Sequence, residues 1–478
     1  MATRLGIIIF FYVLISSAYF FQGPSANVNS RLDLALALSE SASVKIDRYQ
    51  LNTIDKSFYN GHFYSDKAPG LSFLGAFVLI FTRPIFQLFD LSPRTEFLSK
   101  LYLLTFLLMS VFTAWTASRF FKLAVEILGE THAFLAFSLT ALCFTGTLVF
   151  AYSTVLFAHQ MAGNILFLSF YYLRQLGKLS RLQYYALASL LAFACLLEYT
   201  VTPFFALTYL YLCYQLRKKE SFFIFLPLGI VALLFAWYNT IAFGAPWHLS
   251  YGFLHGTLFD GMKSGFFGIT LPSLEALYHL TFSEYRGLFY YNPIFLFSFV
   301  GLVFAWLKRE RRPWLIPCFA SFGFLLLTNA SYFYWTGGAC FGPRHIVPAL
   351  ILLFVPILFL PPKWLRHPGL WCLGLVGVFY DLIATSVVLI PDEKYSSPFW
   401  DYLFPLFRNG MLAINTNYPV EHYLQLQRFS AFRSSAYNLG QFFLLPGIFS
   451  LIPLLLCQIL LLGLAWRWAT QAQRTSQS

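Results

Sequence analysis

The chain has 478 residues, 58% hydrophobic and only 11% charged, with 57 Phe and 29 Tyr. Soluble domains carry about 25% charged residues, and surface-to-volume scaling leaves a soluble fold no way to hide this much apolar surface. The formal net charge of +12 does not call for nucleic acid, because much of the Lys and Arg sits in short loops between apolar runs, where it sets membrane topology.

A membrane-spanning helix needs roughly 20 predominantly apolar residues. Taken in order, such runs fall near 5–22, 70–89, 100–121, 132–152, 154–174, 182–199, 200–216, 221–243, 290–307, 313–330, 346–361, 369–391 and 442–466. The reading is an all-α, multi-pass membrane protein, a single domain over 1–478 with about thirteen spans. The first run follows Arg4 and reads as an uncleaved span. Glu198 and Pro203 interrupt the stretch 182–216.

Lys and Arg in short loops mark the inner side. Arg217, Lys218 and Lys219, then Lys308, Arg309, Arg311 and Arg312, are the clearest markers. They place 244–289, 331–345 and 392–441 outside, and counting from the N-terminus places 23–69 outside too. The two counts clash in parity between 90 and 131, so one run there is expected to be interfacial, broken or re-entrant.

The first outer loop, 23–69, is polar. Ser30 is a plausible N-cap for a short helix to about Glu40, expected to lie on the membrane surface. Asp47, Asp55, His62, Asp66 and Lys67 follow. Four titratable groups and a lysine so close to a span point to a site, although any one of them also fits a solvated loop. Lys67 stands beside Pro69 and Gly70 at the lip of the next run, which holds a cation at lipid headgroup depth, where a snorkelling lysine would also sit. Six of the cysteines, Cys143, Cys195, Cys213, Cys318, Cys372 and Cys457, lie in apolar runs as small hydrophobes. Only Cys340 sits in a polar motif, and no spacing suggests disulfides or zinc.

The segment from Asn27 to Gly70, and within it Gly61–Gly70 (GHFYSDKAPG), resembles the first outer loop of bacterial integral-membrane glycosyltransferases with the GT-C fold, the group that includes protein O-mannosyltransferases and lipid A aminoarabinose transferases. Thr154–Ala162 with His159, Arg286–Pro293 and Trp335–Arg344 resemble family-39-like members. The resemblance implies a GT-C-like bundle in the bacterial cell membrane. It implies a polyprenyl-phosphate-linked sugar as donor and an extracytoplasmic lipid, glycan or protein as acceptor, with the site on the outer side. That family places a catalytic acid just after the first span, where this chain has Asn27 and Asn29; the nearest acids are Asp33, Asp47 and Asp55.

Such transfer needs a carboxylate to take the proton of the attacking hydroxyl, and Asp55 and Asp47 are the candidates. The leaving phosphate needs positive charge, which Lys67, Arg344 and Arg286 can supply; Arg also matches phosphate oxygens in a fork. His62, Asp66, His159, Glu198 and Trp335 are the candidate substrate contacts, while His159 also fits a packing histidine, Trp335 an aromatic belt, and Asp381 a pair within the bundle. No cofactor is required. A divalent metal could be held by Asp55, His62 and Asp66, but nothing in their spacing demands one. Residues 23–69 and 244–289 are expected to roof the site, with 392–441 over it. The alternative is a transporter or lipid flippase without transferase activity, which would show mid-membrane charges and internal repeats; few such charges and no repeat are visible.

Overall fold

A computed structural model describes residues 2–215, 224–307, 312–415 and 435–477. The topology markers at 217–219 and 308–311, and the last-loop residues His422, Arg428 and Arg433, lie outside the described residues. Nearly all of the regular structure is helical. The first half of the chain builds eleven α-helices: α1 (Ala2–Ala18), α2 (Ala26–Ser41), α3 (Gly70–Gln87), α4 (Pro93–Leu104), α5 (Phe112–Leu128), α6 (Ala133–Thr145), α7 (Leu148–Tyr152), α8 (Ala158–Leu173), α9 (Arg181–Ala194), α10 (Thr202–Gln215) and α11 (Phe225–Phe243). The second half adds Leu296–Trp306, Arg312–Ala330, Pro368–Val387 and Ile452–Gln477 among shorter pieces.

Five helices among the described residues are long and apolar enough to cross a membrane: Gly70–Gln87, Pro93–Leu128, Phe225–Phe243, Pro368–Val387 and Gly447–Gln471. Every apolar run read from the sequence contains helix, but several of those helices are shorter than a full span. The run 132–152 breaks at Gly146, where a side chain would strike Leu142 and Val378, and Thr147 caps a new helix by accepting from the Val149 N–H. The stretch 182–216 breaks between α9 and α10, at the Glu198 and Pro203 interruption.

The strands are short. Phe20–Phe21 (β1) pairs antiparallel with Tyr437–Asn438 (β4), tying the end of α1 to the last loop. Lys56–Tyr59 (β2) and His62–Ser65 (β3) form a hairpin in the first loop. Its turn, Asn60 and Gly61, takes positive φ at both residues, the geometry that two-residue hairpins favour.

α4 and α5 are one continuous rod, joined through a π-helical stretch, Thr105–Val111. The rod runs antiparallel to α1: Ser118 Oγ donates to the Gly6 carbonyl at 3.0 Å and Tyr102 Oη to the Ala18 carbonyl at 2.8 Å. Residues 93–101 therefore project past the end of α1 on the loop-bearing face. Lys100, on that projection, pairs with Glu40 of α2 at 3.1 Å. α3 begins at the same face, where the Gly70 N–H donates to the Leu196 carbonyl at 2.7 Å, and five residues separate its end at Gln87 from Pro93. Both ends of α3 thus pack against loop-bearing segments, and the run 100–121 lies within one continuous helix.

α2 corrects the loop reading. It starts at Ala26, with Ser25 as N-cap accepting from the Val28 N–H. Ser30 instead donates to Asp66 at 2.7 Å. Asn27 through Ala37 are buried, so the first three turns of α2 are packed into the protein. Asp381 pairs within the bundle: it accepts from Asn292 at 2.6 Å, and Asn292 in turn accepts the Leu148 N–H at 2.9 Å.

Candidate functional site

A cavity of about 150 Å³ opens where the loops meet the helix ends, lined by Asn27, Arg31, Asp55, Asp66, Lys67, His159, Glu198, Tyr251, Tyr334, Gly337, Arg344 and His345 among others. Six of the ten residues singled out from the sequence are in this wall: Asp55, Asp66, Lys67, His159, Glu198 and Arg344.

The carboxylate end is built by the hairpin. Thr53 Oγ1 donates to the Ala26 carbonyl at 2.8 Å and accepts the Asp55 N–H at 2.9 Å, which fixes Asp55 against the start of α2. Lys67 Nζ lies 2.8 Å from Asp55 and 2.6 Å from Asp66. Asp66 is buried and also accepts from Ser30. The second outer loop clasps this end: Ser250 Oγ donates to the Asp66 carbonyl at 2.7 Å and Ser57 Oγ to the Ser250 carbonyl at 2.9 Å. Burial raises the Asp66 carboxyl above its ordinary value, and the Lys67 ammonium pulls it back part of the way.

The wall opposite is a cationic and imidazole cluster. Arg31 lies 3.7 Å from Glu198, and His159 Nδ1 3.2 Å from the same carboxylate oxygen. Burial lowers the Arg31 pKa while Glu198 holds it up. The His345 ring stands edge-on to His159, 5.1 Å between centroids. Arg344 differs from Arg31 and Lys67: no carboxylate pairs with it among the described residues, and its Nε is buried without a hydrogen-bond partner. Gly337 and Gly338 take φ of +72° and +67°, conformations that favour glycine, and a side chain at Gly337 would sit 3.1 Å from Arg344 Nε. Two positive charges near three carboxylates and one free guanidinium leave the cavity anionic at the hairpin and cationic at Arg344.

Four sequence candidates are placed elsewhere. Arg286 is fully buried and donates to the carbonyls of Thr336 at 3.1 Å, Gly338 at 2.8 Å and Cys340. It satisfies an irregular loop whose carbonyls have no ladder partners, so it reaches no ligand. Asp47 and His62 pair with each other at 2.8 Å on the exposed surface of the hairpin. Trp335 stacks on His279, 5.5 Å between centroids, against the helix Leu274–Thr281. The trio Asp55, His62 and Asp66 is therefore not assembled, and among the described residues no group of three His, Cys, Asp or Glu side chains converges for a metal.

The position after the first span is occupied by an amide. Asn27 lines the cavity and accepts from Arg31 through its side chain and its carbonyl. Asn29 points away, donating to the Asn52 carbonyl at 2.8 Å. Of the three nearest acids, Asp33 is fully buried against Asn52, its carboxyl raised well above the ordinary value by that burial, and Asp47 is on the surface. Only Asp55 reaches the cavity. Sequence reasoning missed Arg31, His345 and Tyr251 as wall residues. Arg31 had one usable signal, a cation in a helix otherwise rich in Leu and Ala.

A second, mostly apolar groove of about 420 Å³ adjoins the cavity and shares Glu198, Tyr251, Met262, Tyr332 and His345 with it. Its far walls are Pro203, Phe266, Phe267, Phe324 and Leu325. Phe324 is exposed on the side of the bundle.

No family model, curated protein or solved structure matches the chain. Fold and composition define a helical membrane protein with a polar cavity at the loop-bearing ends of its helices.

Proposed function

We propose that the chain is an inverting glycosyltransferase on a GT-C-like bundle, moving a sugar from a polyprenyl-phosphate donor to an extracytoplasmic acceptor. The observation that carries this reading is the shared wall between the polar cavity and the apolar groove. A substrate that fills both must have a polar head and a hydrocarbon tail. The buried Nε2 of His159, Nε2 of His345 and Nε of Arg344, each without a hydrogen-bond partner, suit a head rich in hydroxyls and phosphate oxygens, because buried polar groups seek hydrogen-bond partners.

In this reading Asp55 accepts the proton of the acceptor hydroxyl as its oxygen bonds to the anomeric carbon. The bond from that carbon to the phosphate oxygen breaks, and the polyprenyl phosphate leaves with the electron pair. Arg344, the unpaired cation, meets the charge developing there. Lys67 already pairs with two carboxylates, so its role shifts from binding phosphate to holding Asp55 in place. His159, Glu198, Arg31 and His345 face the sugar hydroxyls. The acceptor approaches from the hairpin side, in the bacterial cell membrane's outer leaflet.

Purified protein in lipid nanodiscs, offered radiolabelled polyprenyl-phosphate sugars, tests the assignment. Label transfer to a membrane extract, or slow release to water, is expected in wild type and lost in Asp55→Asn and Arg344→Ala. Full turnover in both variants would refute the site.

A further inference from the structure

Asn329 is a buried amide in an apolar wall. It stands on the last turn of the helix Arg312–Ala330 and is 4% exposed. It lines the groove together with Pro203, Phe324 and Leu325. Its backbone is satisfied, the carbonyl accepting the Tyr332 N–H at 3.1 Å. Its side chain is not: among the described residues neither Oδ1 nor Nδ2 has a hydrogen-bond partner. Ser331 shows what an ordinary polar group does at this helix end, its Oγ donating back to the Leu327 carbonyl at 2.8 Å. Native proteins leave few buried polar groups unmet, because removing one from water without a replacement partner destabilises the fold. An amide kept in that state, where an aliphatic side chain would pack as well, is placed for a ligand.

Position and chemistry select the part of the ligand that faces it. The groove and the polar cavity share Glu198, Tyr251, Tyr332 and His345. Asn329 holds the Tyr332 backbone, and the Tyr332 ring lies 6.1 Å from the His345 ring. The amide therefore continues, on the groove side, the wall that faces the sugar. A primary amide presents one acceptor oxygen beside two donor hydrogens. A polyprenyl chain offers a partner to neither. Ionised phosphate oxygens only accept, and would leave Oδ1 unmet. An acetamido group is trans and turns its N–H and C=O to opposite sides, so it reaches one amide atom and not both. Two adjacent sugar hydroxyls supply an acceptor and a donor on one edge, which matches the amide at both atoms.

We propose that Asn329 determines sugar specificity: its side-chain amide binds two adjacent hydroxyls of the donor sugar where the polar cavity opens into the apolar groove. The inference rests on the donor reading above and narrows it. The sugar carries an unsubstituted pair of neighbouring hydroxyls on the edge turned to the groove, and a deoxy or O-acylated sugar at that edge is discriminated against. The stability given up at the unmet amide returns when the ligand binds.

The test compares wild type with Asn329→Leu, both as full chains in nanodiscs. It uses melting without ligand and the binding of two radiolabelled probes, a polyprenyl-phosphate hexose and polyprenyl phosphate that carries no sugar. Asn329→Leu is expected to melt no lower than wild type, since it replaces an unmet polar group with an apolar one of similar shape. It is expected to bind the hexose-bearing probe about tenfold more weakly, and the sugar-free probe within about twofold of wild type. Asn329→Ala is expected to show the same split between probes, and serves if the leucine variant accumulates poorly. A lower melting temperature with equal loss of both probes would show that the amide is structural. Equal loss of both probes without a change in melting would place it at the phosphate, and no loss of either would show that it meets no ligand. Each of these three results overturns the proposal. Failure of wild type itself to bind the hexose-bearing probe would overturn the donor reading, and this inference with it.

Discussion

Asp55 and Arg344 share one cavity but not the same electrostatic company. Asp55 is held by Thr53 and Lys67, whereas Arg344 has no carboxylate partner among the described residues. The two arginines that resemble each other in sequence context then behave differently when removed. Arg344→Ala is expected to leave accumulation in the membrane unchanged and to lower turnover about 10²- to 10³-fold, the usual loss of one charge-stabilising donor. Arg286→Ala leaves three carbonyls without their donor, which costs several kcal/mol, so its expected signature is a lower melting temperature and poor accumulation. Both follow from thermal melts and activity normalised to folded protein. Among the acids, Asp55→Asn should lose about 10²- to 10⁴-fold, while Asp47→Asn stays within about twofold, since a surface ion pair contributes little.

Asp66 adds a dependence on pH. Its folded carboxyl is raised above the ordinary value, with burial as the larger cause. Its contribution to stability is therefore full below the unfolded aspartate value of about 4 and is lost as pH rises through the raised folded value. Across that window the melting temperature of Asp66→Asn should fall less with pH than that of wild type; an identical slope would show that Asp66 is not raised. The sequence made six wall residues legible because each was a polar group in an apolar run or in a motif of the resemblance. Arg286 was misplaced because a carbonyl cage has no sequence signature. Arg31 was missed because the pairing that buries it comes from Glu198, 167 positions away.

At the scale of elements, helix existence was legible and helix role was not. Apolarity marks α3 and α11 alike as spans, since both offer about the same length of hydrophobic chain. Only tertiary contacts separate them: α3 is pinned at Gly70 to Leu196 and at its other end to the α2 side. The same contacts bury α2, whose Leu and Ala content alone suits a membrane-surface helix. Gly70 is the pivot. A side chain there would come within 2.7 Å of the Leu196 backbone, so Gly70→Ala is expected to destabilise the protein by about 1–3 kcal/mol and to lower turnover by displacing Lys67. A melt and a rate measured on the same preparation check this. Unchanged values of both would show that the α3 start is not tied to the site.

Over the whole molecule, the loops and the helix ends act as one unit. The first loop supplies Asp55, Asp66 and Lys67, the second supplies Tyr251 and Met262, and the segment before the helix 350–354 supplies Arg344 and His345. Residue Glu393 of the last loop accepts from Tyr334 at 2.8 Å and Thr336 at 3.3 Å, which ties that loop to the glycine segment beside Arg344. Composition foretold the membrane character, because charge and apolarity are local properties. The junction of a polar cavity with an apolar groove is not local, and no spacing in the chain announces it. That junction supports the proposed amphiphilic substrate, with its phosphate at Arg344. The most direct test is binding of a radiolabelled polyprenyl-phosphate sugar to wild type and Arg344→Ala in nanodiscs, with the free polyprenol as competitor. Saturable binding is expected for wild type, with binding at least about tenfold weaker for Arg344→Ala, the usual loss of a charged contact, and only weak competition by the uncharged alcohol. Equal binding by the two proteins, or a polyprenol that competes as well as the phosphate, would contradict it.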